Sequence, residues 1–154
     1  MKQIKKQYYK RAEKALYNYT QFKINILNMK EQLECLKNED GVNCINYEGE
    51  KTSETNKITR QLEEQAIRNI KKEKQLKYKI KTTQHEVNKI DRALEGLTDI
   101  EKKVIELRYI KGYQWFNIAY EAQYNERWCK EIRTQALQKI SISLFGYTAL
   151  LEHE

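Results

Sequence analysis

The sequence has no proline, five glycines and two histidines in 154 residues. With so few turn-forming residues there is little to punctuate strands, and with 33% of residues charged the chain favours long helices over sheets. Its three cysteines, Cys35, Cys44 and Cys129, share no CxxC spacing. A sparse, odd set argues against a disulfide framework and against a zinc site. Only His85 and His153 could join them, so no metal and no cofactor is expected. No apolar run approaches the roughly 18 residues of a membrane span, and no N-terminal stretch resembles a signal peptide. The expected compartment is cytoplasmic, without membrane contact.

Catalytic signals are also lacking. There is no glycine-rich phosphate loop and no GxSxG. His85 stands beside Glu86, and adjacent helical positions do not face each other. Glu63-Glu64 reads as local helix surface. No acid/base pair has a reason to be one, and the chain is not expected to be an enzyme.

Charge is abundant but unevenly placed. Residues 1–37 hold nine Lys/Arg against three Asp/Glu, and residues 56–96 hold eleven against six. Residues 38–55 hold one against five, and residues 97–154 are balanced at eight each. The net +7 therefore resides in the N-terminal two thirds.

That portion carries heptads. Tyr8, Ala12, Ala15, Tyr19, Phe22, Ile26, Met29, Leu33 and Leu36 recur at alternating spacings of four and three. Such a stripe predicts a long helix, roughly 50 Å over about 35 residues. Asp40-Gly41 is expected to break it, and the polar stretch 38–55 reads as a loop. A second stripe follows: Leu62, Ala66, Asn69, Glu73, Leu76, Ile80, Thr83, Val87, Ile90, Leu94 and Leu97. Asn69 and Glu73 interrupt its apolar seam. The lysines from Lys71 to Lys81 wrap around this helix rather than lining one face, as a solvated surface does. Residues 1–96 thus read as a two-helix, coiled-coil-like arm. Two narrow seams bury little, and Tyr8, Tyr9, Tyr17, Tyr19, Phe22 and Tyr78 exceed what one seam needs. Core or half-buried surface is one use for them; a homodimer interface is the other.

Residues 97–154 differ. Leu97, Ile100, Val104, Leu107 and Tyr109 form one short helical pattern. Trp115, Ile118 and Ala119 form a second after Gly112. Cys129, Ile132, Ala136, Leu137 and Ile140 form a third, with Asn125 placed as its N-cap. That layout predicts an all-α domain, a helix-turn-helix behind a supporting helix. With the core positions subtracted, the third helix turns Glu126, Arg127, Trp128, Lys130, Glu131, Arg133 and Thr134 outward. These residue types suit both base edges and phosphates. Arg133 and Lys139 lie further along and would mainly grip phosphate. The tail after Ile140, with Ile142, Leu144, Phe145, Leu150 and Leu151, is expected to pack back on the bundle or onto a second chain.

Leu97-Thr98, Glu101, Val104, Leu107-Arg108-Tyr109, Gly112, Ile118-Ala119 and Ala136-Leu137 resemble region 4 of bacterial sigma factors. The segment RYIKGYQWFNIA, preceded by a basic coiled-coil-like arm, is similar to small phage regulators of late-gene transcription of the RinA and ArpU kind. The resemblance implies a phage- or prophage-encoded DNA-binding transcription regulator, with base contacts falling on Glu126, Arg127, Trp128, Lys130 and Glu131. Two positions depart from the pattern. Gln123 stands where the turn usually carries glycine, and a left-handed backbone is unfavourable for Gln, so an altered turn is expected. Gln114 replaces the usual Ser or Thr at the start of the second helix. The candidate DNA-binding set is Gln114, Glu126, Arg127, Trp128, Lys130, Glu131, Arg133, Thr134 and Lys139.

Two functions compete. One is a sequence-specific transcription regulator on double-stranded DNA. The other is a protein-interaction module acting through RNA polymerase or another regulator. Exposed, unpaired Arg127, Lys130 and Arg133 would favour the first. Ties to Glu126 or Glu131, or cover by the arm, would favour the second.

Overall fold

A computed structural model describes residues 4–42 and 55–150. The fold is all-α. Helix α1 runs Lys6–Val42 and α2 Thr55–Glu95. Three shorter helices follow: α3 (Asp99–Ile105), α4 (Trp115–Ala122) and α5 (Glu126–Phe145). A π-helical turn, Glu106–Ile110, extends α3, and a 3-10 turn, Gly146–Ala149, follows α5. No described helix is long and apolar enough to cross a membrane.

The expected break at Asp40-Gly41 does not occur, because α1 continues to Val42. One glycine costs a helix only about 1 kcal/mol, which is too little to stop it unaided. Residues 43–54 of the expected loop, with Cys44, lie outside the described residues, as do Leu151 and His153.

Two compact units form, and they do not follow a division at residue 96. One comprises residues 1–23 with 85–154; the other is 24–84. The start of α1 and the end of α2 therefore belong with α3–α5. The reason lies in side chains that the C-terminal helices need. Tyr109 at the π turn donates its hydroxyl to Glu13 of α1 at 2.7 Å, and its ring meets Tyr17 edge-on at 4.7 Å. Tyr8 packs on Phe145 at 5.3 Å, with the Arg11 guanidinium 4.7 Å over the Phe145 ring. Ile4 forms an isolated antiparallel bridge with Leu150, and the Lys5 N–H donates to the Ala149 carbonyl at 2.9 Å. The described tail thus packs back on its own chain through Phe145 and Ala149, while Ile142 and Tyr147 stay exposed.

In this unit the α3–α5 core gathers Val104, Leu107, Ile118, Ala122, Cys129 and Ile132, with Ile100, Trp115 and Ala119 against it. Ala136, Leu137 and Ile140 continue the buried face of α5. Val87, Ile90, Ala93 and Leu94 bury the end of α2, and Ala12, Leu16 and Tyr19 the start of α1. The heptad stripe omits Leu16, yet it is among the most deeply buried residues. Tyr19 hydrogen-bonds the Asp91 carboxylate; burial, and then this bond, raise its hydroxyl pKa.

In the second unit, Ile26 and Met29 are buried on α1 and Asn69 on α2. The seam is thin: Leu33, Leu36, Leu76 and Ile80 are half-buried, and Ala66 and Leu62 are exposed. Asn69 accepts a hydrogen bond from Gln65 at 3.2 Å, so the polar seam position is satisfied rather than orphaned. Lysines 71, 72, 74, 77, 79 and 81 are all exposed, as a wrapped, solvated helix surface requires.

Candidate nucleic-acid interface

Local sequence places α5 well. The Asn125 backbone is extended, and its side-chain oxygen accepts from the Trp128 N–H at 2.8 Å, the N-cap the sequence predicts. The turn before it is not altered by Gln123. Gln123 takes the left-handed conformation itself, φ 60 and ψ 37. Its N–H donates to the Tyr120 carbonyl at 3.3 Å, and the Tyr124 N–H to the Ala119 carbonyl at 3.1 Å. That is the Schellman pairing that closes a helix end. The turn's hydrogen bonds outweigh the steric cost of a non-glycine residue, roughly 1–2 kcal/mol. Lys103 of α3 donates to the Glu121 carbonyl at 2.7 Å and fastens the end of α4.

Helix α3 is capped by Thr98. Its N–H and hydroxyl both donate to the Glu101 carboxylate, at 2.9 and 3.0 Å. Lys139 donates to the same carboxylate at 2.7 and 2.9 Å. Burial pushes the Glu101 carboxyl up, but the bonds from Lys139 and Thr98 outweigh it and hold the pKa below the ordinary value. Lys139 therefore has a structural occupation. It compensates a buried carboxylate between α5 and α3.

The first two turns of α5 carry the outward set. Glu126, Arg127, Trp128, Lys130 and Glu131 are all exposed. Glu126, Arg127, Lys130, Glu131 and Thr134 line one shallow depression. The cations are not free. Arg127 pairs with Glu131 at 3.3 Å and Lys130 with Glu126 at 3.4 Å, each one helical turn apart. Arg133 is half-buried and lies 3.7 Å from Glu13 of α1. The Thr134 hydroxyl donates to the Lys130 carbonyl at 3.0 Å. Trp128 stacks on Tyr124, centroids 4.0 Å apart. Gln114 is the exposed residue before α4 and makes no side-chain cap bond. Cys129, facing inward, has its thiol pKa raised by burial and then by Glu126, as befits a packing residue.

Sequence reasoning missed one cluster. Trp115 reads as an apolar core position, and it does touch the core. Its ring also collects three cations: Arg108 at 5.0 Å, Lys130 at 5.6 Å and Arg133 at 5.6 Å. Arg108 donates to the Tyr113 carbonyl at 3.0 Å. No spacing rule links Arg108 to α5. What marks Arg108 is structural: it sits inside an i,i+5 turn. There the Lys111 N–H reaches the Glu106 carbonyl at 3.0 Å, a geometry common near functional sites.

A family profile matches residues 8–142, most of the arm and all of α3, α4 and the α5 core. The chain belongs to the DUF722 family. That family is described as a protein of unknown function. No curated protein and no solved structure matches the chain. Membership spans arm and C-terminal helices together, so the two parts form one family unit. Among the described residues no group of three His, Cys, Asp or Glu is placed to hold a metal ion.

Proposed function

We propose that this protein is a sequence-specific, double-stranded-DNA-binding transcription regulator of the phage or prophage kind. In this reading α4, the Gln123 turn and α5 act as a helix-turn-helix with α3 as support. The observation that carries it is the division of α5. One side is sealed in the core at Cys129, Ile132, Ala136, Leu137 and Ile140, and the other presents Arg127, Trp128, Lys130 and Glu131 to solvent on its first two turns. Those turns are where a docked recognition helix meets base edges. Ion pairs between exposed side chains are worth at most about 1 kcal/mol. A phosphate or guanine can displace Glu131 from Arg127, whose side chain is 92% exposed.

A second reading has an observation of its own. All three cations have acidic partners, and that of Arg133 is supplied by α1. This favours a protein-interaction module in which the arm and C-terminal helices act together on RNA polymerase or another regulator. The arm adds exposed Ile24, Leu27, Ile67 and Ile70, surface suited to a protein partner or to a homodimer on two half-sites.

A salt-dependent titration on the DNA flanking its own coding region separates the two readings. Arg127→Ala and Lys130→Ala should flatten sequence preference, by about 1–3 kcal/mol at a contacted guanine, with the fold intact. Folded double-variant protein that kept wild-type affinity and preference would put the interaction module first. Analytical ultracentrifugation at micromolar concentration tests the homodimer, and a monomer mass throughout that range would remove it.

A further inference from the structure

Arg108, Lys130 and Arg133 converge on one indole from three different stretches of chain: the π turn and two successive turns of α5. Glu126 offsets Lys130 at 3.4 Å, and Glu13 offsets Arg133 at 3.7 Å. Among the described residues no carboxylate pairs with Arg108; its bond is to the Tyr113 carbonyl. The cluster therefore keeps one positive charge beyond its acidic partners. Its two guanidinium groups are also incompletely satisfied. The Arg108 Nε and the Arg133 Nε are both buried with no acceptor. Buried polar atoms are nearly always paired, so two orphan donors in one cluster need an explanation. A planar ring holding guanidinium groups by cation–π contact fixes donors that phosphate accepts in bidentate fashion.

We propose that Arg108 and Arg133, held on the Trp115 ring beside Lys130, form a seat for one backbone phosphate of bound nucleic acid. The proposal rests on the DNA-binding reading and adds a residue to it, Arg108, together with a positioning role for Trp115. A phosphate here carries no sequence information. It sets the register in which the first turns of α5 meet base edges.

The test uses the full chain, with circular dichroism to verify folding of each variant. Binding is measured over a range of salt concentrations on the duplex flanking the coding region and on a scrambled duplex of equal length. Arg108→Gln should weaken both duplexes equally and lower the salt slope by about one. Arg108→Lys, which keeps the charge, should restore the slope. In parallel, the Trp115 indole N–H resonance should shift on adding DNA and, saturably, on adding tripolyphosphate, and Arg108→Gln should abolish both shifts. An unchanged slope, or a silent indole, would overturn the seat while leaving the DNA reading in place. If the folded wild type bound no duplex at all, the DNA reading would fall and tripolyphosphate would decide alone. A saturable shift lost in Arg108→Gln would keep the seat for phosphate from another source, and no shift would overturn it.

Discussion

The unit built from residues 1–23 and 85–154 and the unit of residues 24–84 use the same residue types to different ends. In the first, apolar side chains from all five α-helices are sealed, and several polar groups are sealed with them: Glu101 under Lys139, Tyr109 on Glu13, and the Ser141 hydroxyl on the Leu137 carbonyl at 2.7 Å. In the second, a single thin seam is buried while Ile24, Leu27, Leu62, Ile67 and Ile70 face water. Charge follows the same contrast. The C-terminal third is neutral, yet four of its eight cations, Arg108, Arg127, Lys130 and Arg133, lie around Trp115 and the start of α5. The distal arm is rich in lysine, but those lysines are spread around the helix. Net charge is thus a poor guide to where cations gather, and the placement of a few side chains is a better one.

The contrast is sharpest in the cores. Leu137→Ala, at a fully buried position, should cost about 2–5 kcal/mol, read as a lower thermal midpoint and a lower denaturant midpoint. Ile26→Ala in the arm seam should fall toward the lower end of that range, and Phe22→Ala below it because Phe22 is only half-buried. Leu62→Ala, at an exposed position, should change stability by no more than about 0.5 kcal/mol in the isolated chain. A large loss for Leu62→Ala that grows with protein concentration would mean that the distal seam is completed by a second copy.

The polar contacts of the first unit predict an acid response centred on a buried carboxylate. Folding depresses the Glu101 pKa, so this carboxylate adds stability above the ordinary glutamate range, near pH 4.3. That contribution is lost as the pH falls through the lower, folded value. Glu101→Gln should cost on the order of 1–3 kcal/mol at neutral pH and flatten the acid limb of the stability profile. An acid limb identical to wild type would show that the Lys139–Glu101 pair contributes nothing there.

The smallest effect has the opposite sign. Gln123 holds a left-handed backbone, so Gln123→Gly should raise stability by about 1 kcal/mol. A loss instead would mean that the Gln123 side chain contributes more than its backbone strain costs.

Particular residues show which features were readable from the chain. The heptads marked both long helices. The burial of Cys129, Ile132, Ala136, Leu137 and Ile140, and the Asn125 cap, followed from helical periodicity and from a side chain short enough to bond its own backbone. These are local properties, and a linear sequence states them directly. Excess tyrosine was legible only as an excess. Tyr8, Tyr17 and Tyr19 turned out to serve Phe145, Tyr109 and Asp91 within the chain, whereas Tyr78 remains exposed.

Periodicity and capping determined the all-α architecture, the inward face of α5 and the residues on its outward face. Tertiary structure alone decided that Glu13 would meet Arg133, that Glu101 would claim Lys139, and that Arg108 would join α5 at Trp115. The physical reason is that helix formation depends on neighbours three or four residues apart, which sequence spacing encodes. A buried charge or an indole face takes whichever partner the packing of distant helices brings within a few ångströms.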